Sequence, residues 1–193
     1  MLPSDPPFEP PVKTLETARL SIRIDTGDDY IQAFRSKSDE ELKACFGIVT
    51  DADLQTQKDK VHGGLTTYRT SLVFFHLKER TLNTVIGSCA FHNWYPGHRR
   101  SEIGYAMGGE EYKSKGYMSE AIGPIVKFGF EAMALNRIEA FIAPQNNPSI
   151  KLVERLGFRQ EGWLHEHYCK DDIPGDSLVF ALLQKAYAAG PGH

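Results

Sequence analysis

Cysteine is scarce in this chain of 193 residues: Cys45, Cys89 and Cys169 are its only three, odd in number and far apart. Neither a disulfide framework nor a C-x-x-C zinc site can be built from them, so reduced thiols in small apolar roles are the expectation. Long apolar runs are missing too. No stretch approaches the ~18 to 20 consecutive apolar residues of a membrane span, and no basic segment followed by an apolar one opens the chain. A cytoplasmic protein without a membrane partner is expected. Charge of one sign is not in excess either, because 22 Lys plus Arg face 25 Asp plus Glu, a formal charge of -3. The broad basic footprint of a nucleic-acid binder is therefore absent, and no direct nucleic-acid contact is expected.

Hydrophobic residues make up 41% and aromatics 11%, enough side chain for a core. The length suits one domain. Five of the eleven prolines fall within Met1 to Pro11, which favours extended backbone without donors. Residues 1–13 are read as a flexible arm, 190–193 as a disordered tail, and 14–189 as the folded domain.

Leu20, Ile22 and Ile24 alternate with polar residues, the period of a half-buried strand. Further strands are expected at Leu72 to Leu77, Thr84 to Phe91, Glu102 to Met107, Arg137 to Ala143, Phe158 to Tyr168 and Ser177 to Leu183. Helices are expected after Gly27-Asp28-Asp29, around Asp51 to Arg69, from Lys115 to Met133 and from Pro148 to Leu156. Gly123-Pro124 inside the third of these predicts a kink near Glu120. The pattern is mixed α/β with about seven strands and a strand-helix-strand-helix unit in the second half.

Two segments carry the chemistry. In Lys113-Ser114-Lys115-Gly116-Tyr117-Met118 a loop opens a long helix. The first turn of a helix has unpaired N–H groups and a positive dipole end, so a phosphate meets ready donors there. Gly116 lets backbone come close, and Lys113 and Lys115 add positive charge; an ordinary solvated loop fits the same residues. About 30 residues later, Pro144-Gln145-Asn146-Asn147-Pro148-Ser149 turns a strand into a helix that ends at Leu156-Gly157-Phe158.

Together these segments resemble the Gcn5-related N-acetyltransferase (GNAT) superfamily, in particular its RimJ and RimL branch of ribosomal-protein N-acetyltransferases. The likeness runs from about Leu15 to Leu183. In the family pattern Gln/Arg-x-x-Gly-x-Gly/Ala, Lys113 takes the first position, Ser114 and Lys115 the free ones, Gly116 the required glycine, and Met118 replaces the last small residue. Asn146 and Ser149 match Asn-x-x-Ser, and Glu154 to Phe158 match Glu-x-Leu-Gly-Phe. The resemblance implies a GNAT fold, with helices on both faces of a mixed sheet splayed between its fourth and fifth strands. It also implies acetyl-CoA as cosubstrate, without a metal. The diphosphate would lie on backbone from Lys113 through Tyr117 to Met118. Pantetheine would lie along Tyr105, Ala106 and Met107, with Asn146 and Ser149 near the thioester.

The implied reaction is direct attack by a primary amine, which needs a base and an acid near the sulfur. Glu102, in Glu-Ile-Gly-Tyr, is the candidate base; pairing with Arg99, Arg100 or Arg137 is the alternative. Ser149 and Tyr168 are the candidate acids, although Ser149 would also suit a helix N-cap. The branch points to a protein N-terminal amine as acceptor. A small amine (polyamine, aminoglycoside or aminoacyl adduct) stays open, as does a non-catalytic acyl-CoA-binding module. A monomer and a homodimer are equally compatible. His165 and His167, two apart on a strand, invite comparison with a metal pair, but no third ligand is suitably spaced. His92 and His98 flank Trp94-Tyr95 as possible pocket residues, and Asp171, Asp172 and Asp176 form an acidic loop that would attract a cation.

Overall fold

A computed structural model describes residues 8–63, 72–170 and 172–190. The first part of the proline arm, the last three residues of the expected tail, Asp171 of the acidic loop and the far end of the helix expected up to Arg69 lie outside the described residues. Two compact units account for the chain, one made of residues up to Asn93 with Tyr105–Pro124, the other of Trp94–Gly104 with Ile125 onward.

In the first unit, β1 (Thr14–Glu16), β2 (Leu20–Thr26), β3 (Val73–Glu79) and β4 (Thr84–Tyr95) follow one another as antiparallel neighbours. The alternation in β2 does what its period requires: Leu20, Ile22 and Ile24 are buried, with Ile22 paired to Leu77 and Ile24 to Phe75. Between β2 and β3 come α1 (Gly27–Ser36), α2 (Asp39–Phe46) and α3 (Asp51–His62). Capping boxes start the first two, Thr26 with Asp29 and Ser38 with Glu41, and the left-handed Gly47 ends α2. Tyr30 packs against Phe34, Phe46 and Phe74 with ring centroids 4.6–4.8 Å apart, which fastens α1 and α2 to β3.

The second half of β5 (Arg100–Met107) lies next to β4 in this unit. Gly87 makes that approach possible, since a Cβ there would stand 2.8 Å from the Ala106 carbonyl oxygen and 3.2 Å from Met107 Sδ. Gly87→Ala is expected to cost about 1–3 kcal/mol by overpacking against backbone. At about 2–4 °C per kcal/mol the loss is readable by calorimetry, and an unchanged Tm would show that the β5 backbone yields.

In the second unit, the first half of β5 pairs in parallel with β6 (Arg137–Ile142) over Arg100↔Arg137, Ser101↔Ile138 and Glu102↔Glu139. Next to β6 is β8 (Ile173–Leu183), antiparallel, and β7 (Arg159–Lys170) is antiparallel to β8 at the edge, giving the order β5-β6-β8-β7. Ile138, Ala140, Phe180 and Leu182 fill its core with Phe130 and Leu135; burial of each large apolar side chain contributes about 1.5–3 kcal/mol. α5 (Asn147–Arg155) and α6 (Gln184–Ala189) complete it.

The helix expected from Lys115 begins later, as α4 (Tyr117–Glu131), because a 3-10 turn at Glu110–Tyr112 and a left-handed Gly116 precede it. It runs uninterrupted through Pro124. Buried Ala121, Ile122, Ile125 and Val126 supply the packing that offsets the one missing backbone bond. Among the described residues eight strands stand where about seven were expected, the extra one being the three-residue β1. α2 and α6 were not expected from the sequence.

Candidate active site

After β5 the chain passes through the 3-10 turn to Lys113, whose ammonium pairs with the Glu110 carboxylate. Ser114 (φ 56°) and Gly116 (φ 79°) are then both left-handed, and α4 starts at Tyr117. Two such residues in three make a bent approach to a helix N-terminus, where the first N–H groups have no partner in the helix. This is a geometry in which a diphosphate fits. The donors are main-chain N–H groups, and Lys115 is exposed beside them.

Sequence reasoning missed Arg19, which reaches this loop from the start of β2. Its Nη1 donates to the Lys115 carbonyl at 3.0 Å, its Nε to Glu120 at 2.7 Å, and its guanidinium lies over the Tyr117 ring at 4.4 Å. Glu120 also accepts from the Arg19 backbone N–H (2.8 Å) and from Thr17 Oγ1 (2.6 Å). Burial alone would raise the Glu120 pKa; the hydrogen bonds from Thr17 and Arg19 outweigh it and hold the carboxyl below its ordinary value. No local motif announces this cluster, because its partners lie about a hundred residues apart.

In the second unit Glu102 is the neighbour of Glu139 across the parallel pair. Arg100 donates to Glu139 at 2.9 Å, and Arg137 donates to Glu139 at 2.7 Å and to Glu161 at 2.6 Å. Those bonds, the one to Glu161 first, raise the Arg137 pKa further against the opposing effect of burial. Arg99 donates to the Ala134 carbonyl at 2.8 Å.

At the end of β6, Asn146 caps α5, its Oδ1 accepting from the Ser149 N–H at 3.3 Å. Ser149 is thus in the first turn, and the N-cap role considered for it belongs to Asn146. Tyr168 pairs with Gly175, beyond the last residue of β8 that pairs with β6, and is half exposed. Tyr105, Ala106 and Met107 form the end of β5 in the first unit.

The pairing of β7 with β8 shifts between Leu164 and Tyr168, where Glu166 is left-handed at φ 48°, so the simple alternation assumed for His165 and His167 does not hold. His165 Nδ1 lies 3.1 Å from Asp176, whereas His167 Nδ1 lies 3.0 Å from the Ser177 hydroxyl, its ring 5.0 Å from that of Phe141. Asp176 also accepts from the Glu166 backbone and Trp163, which, with His165, hold its carboxyl below the usual range. Among the described residues no group of three His, Cys, Asp or Glu side chains is placed to hold a metal ion, and no helix is long and apolar enough to cross a membrane. His92 is half-buried on β4, and His98 is exposed with its ring 6.5 Å from that of Tyr95.

Comparison with known proteins agrees with this geometry. Residues 19–159 match the acetyltransferase (GNAT) domain family. The N-acetyltransferase p20 of Bacillus licheniformis is 32% identical over 92% of this chain and 99% of its own length. The ribosomal protein uS5 alanine N-acetyltransferase of Escherichia coli is 28% identical over 62% of each chain. The crystal structure of a GNAT-family acetyltransferase from Bacillus anthracis superposes with a TM-score of 0.62 at 28% identity, covering 89% of this chain and 99% of that one. Acetyl-CoA is the cosubstrate of such enzymes. With its α/β architecture and a bent loop leading into α4, this chain belongs to the GNAT family and is an acetyltransferase.

Proposed function

We propose that the enzyme transfers the acetyl group of acetyl-CoA to the N-terminal amine of a protein, by direct attack in a ternary complex. One observation carries the donor half of this reading: the left-handed Ser114 and Gly116 lead directly into the first turn of α4. Backbone N–H groups from Ser114 to Met118 hold the diphosphate, the Lys113 N–H being bound to the Glu110 carbonyl at 3.1 Å, and the end of β5 at Tyr105, Ala106 and Met107 offers strand-edge groups to the amides of pantetheine. Acetyl-CoA supplies an activated acyl group, so the acceptor needs only to be deprotonated and the leaving sulfur protonated. Glu102 takes the ammonium proton, the amine nitrogen bonds to the acetyl carbon as the C–S bond breaks, Ser149 or Tyr168 gives the sulfur its proton, and the second proton shed by the nitrogen restores that hydroxyl. Asn146 orients this end through the first turn of α5.

An acyl-enzyme is not part of the scheme. Cys89 is buried, with its thiol pKa pushed up by burial, and neither Cys45 nor Cys169 belongs to the cofactor loop. The protein acceptor is favoured by the relative that acetylates a ribosomal-protein alanine. A thiol-release assay with peptides of varied N-terminus, polyamines and aminoglycosides, run beside calorimetry of acetyl-CoA binding, tests both halves. Turnover with peptides is expected, together with about 2.7 kcal/mol of stabilisation at 100 times the dissociation constant. Turnover with small amines alone would reverse the acceptor assignment, and tight binding without turnover would make the protein an acyl-CoA-binding module.

A further inference from the structure

We propose that Arg19 is a positioning residue for acetyl-CoA, setting donor affinity by fixing the direction of the Lys115–Gly116 peptide. The inference rests on the acetyl-CoA reading above and goes beyond it to a residue outside the loop. Non-glycine residues with positive φ persist only where surrounding structure holds them, and Ser114 is one. One side chain reaches both sides of the adjacent glycine. Arg19 Nη1 donates to the Lys115 carbonyl, on one side of Gly116, and the guanidinium covers the Tyr117 ring on the other. Arg19 is itself held at both ends, because the Glu120 carboxylate accepts from its Nε and its backbone N–H and also from Thr17 Oγ1.

The consequence follows from peptide geometry. No cis peptide occurs among the described residues, and in a trans peptide the C=O and N–H point in opposite directions. With the Lys115 carbonyl turned toward Arg19, the Gly116 N–H is aimed away from it. Arg19 therefore aims a donor that it does not touch. Glu120 closes the arrangement, since its backbone N–H donates to the Gly116 carbonyl at 3.0 Å while its side chain anchors the guanidinium. Loop and first helical turn are locked by one arginine–glutamate pair, and lysine cannot replace it, having a single nitrogen where the fork uses two.

The test compares Arg19→Ala and Arg19→Lys with the unmodified enzyme, using acetyl-CoA and S-acetylpantetheine, a donor without the diphosphate. Both variants should raise KM and Kd for acetyl-CoA about 10- to 100-fold, the range for losing a charged hydrogen bond. Saturating kcat, the KM for amine, and kcat/KM for S-acetylpantetheine should stay unchanged. Should Arg19→Ala not accumulate folded, Glu120→Gln gives the same readout in weaker form, because it removes the charge that anchors Arg19. Equal loss with both donors would mean general damage and overturn the proposal, as would unchanged acetyl-CoA affinity. Wild-type affinity in Arg19→Lys would also overturn it, showing a point charge to be sufficient. A wild-type enzyme that binds no CoA would instead refute the acetyl-CoA reading itself.

Discussion

Gly116→Glu is expected to abolish acetyl-CoA binding while leaving the protein folded. Gly116 has φ 79°, which costs an L-residue about 1–2 kcal/mol. Space is not the obstacle, because the nearest atom to a Cβ there is Arg19 Nη2 at 3.6 Å, ordinary van der Waals contact. Alanine therefore isolates the backbone strain, and Gly116→Ala should weaken binding about tenfold. Glutamate adds a negative charge where the proposed donor site holds a dianionic diphosphate. At ~4 Å and an effective dielectric of ~20, one like-charge contact costs about 4 kcal/mol, close to a thousandfold in Kd. Calorimetric titration with acetyl-CoA reads both variants, and thermal unfolding checks the fold. Wild-type affinity in Gly116→Glu would place the nucleotide somewhere else and remove the loop from the donor site.

The legible parts of this molecule were those in which the physical signal is local. Alternation located β2 because Leu20, Ile22 and Ile24 face one core, and the loop before α4 was legible because one glycine and one helix start lie next to each other. The eight-residue α2 was missed since Leu42 is its single buried residue, which leaves no apolar stripe to see; Ser38-x-x-Glu41 was the available signal. The start of α4 was set too early because the lysine-rich loop has reasonable helix propensity, whereas the left-handed Gly116 delays the first turn. The shared face assumed for His165 and His167 fails because period-2 reasoning takes regular pairing for granted, and the register shift with left-handed Glu166 is a tertiary choice. The Arg19–Glu120 pair is invisible to any window, since it exists only after β2 and α4 have come together. Ser149 shows how a three-residue difference in helix start changes a role: Ser149 suits an N-cap by residue type, but Asn146 holds that position.

Glu102→Gln is the second large effect, expected to lower kcat about 10²- to 10⁴-fold, the usual contribution of a positioned proton acceptor. Glutamine keeps the volume and hydrogen-bonding reach of glutamate but cannot take a proton at neutral pH, so folding and acetyl-CoA affinity should be retained. The neighbouring charges make the substitution informative. Across the parallel pair from Glu102 stands Glu139, which accepts from both Arg100 and Arg137, and Arg137 extends to Glu161. The strand pair thus holds two adjacent carboxylates, and the proposed proton acceptor is the one on Glu102. Glu139 is fixed in a structural network by two guanidinium groups. Kinetics with acetyl-CoA and a reactive amine at saturation, run beside calorimetry of acetyl-CoA binding, separate the roles: kcat should fall in Glu102→Gln while the Kd for acetyl-CoA is retained. A variant with wild-type kcat would show that the acceptor loses its proton to another group, and His167, held by Ser177 and lying against Phe141 on the strand that carries Glu139, would be the next residue to substitute.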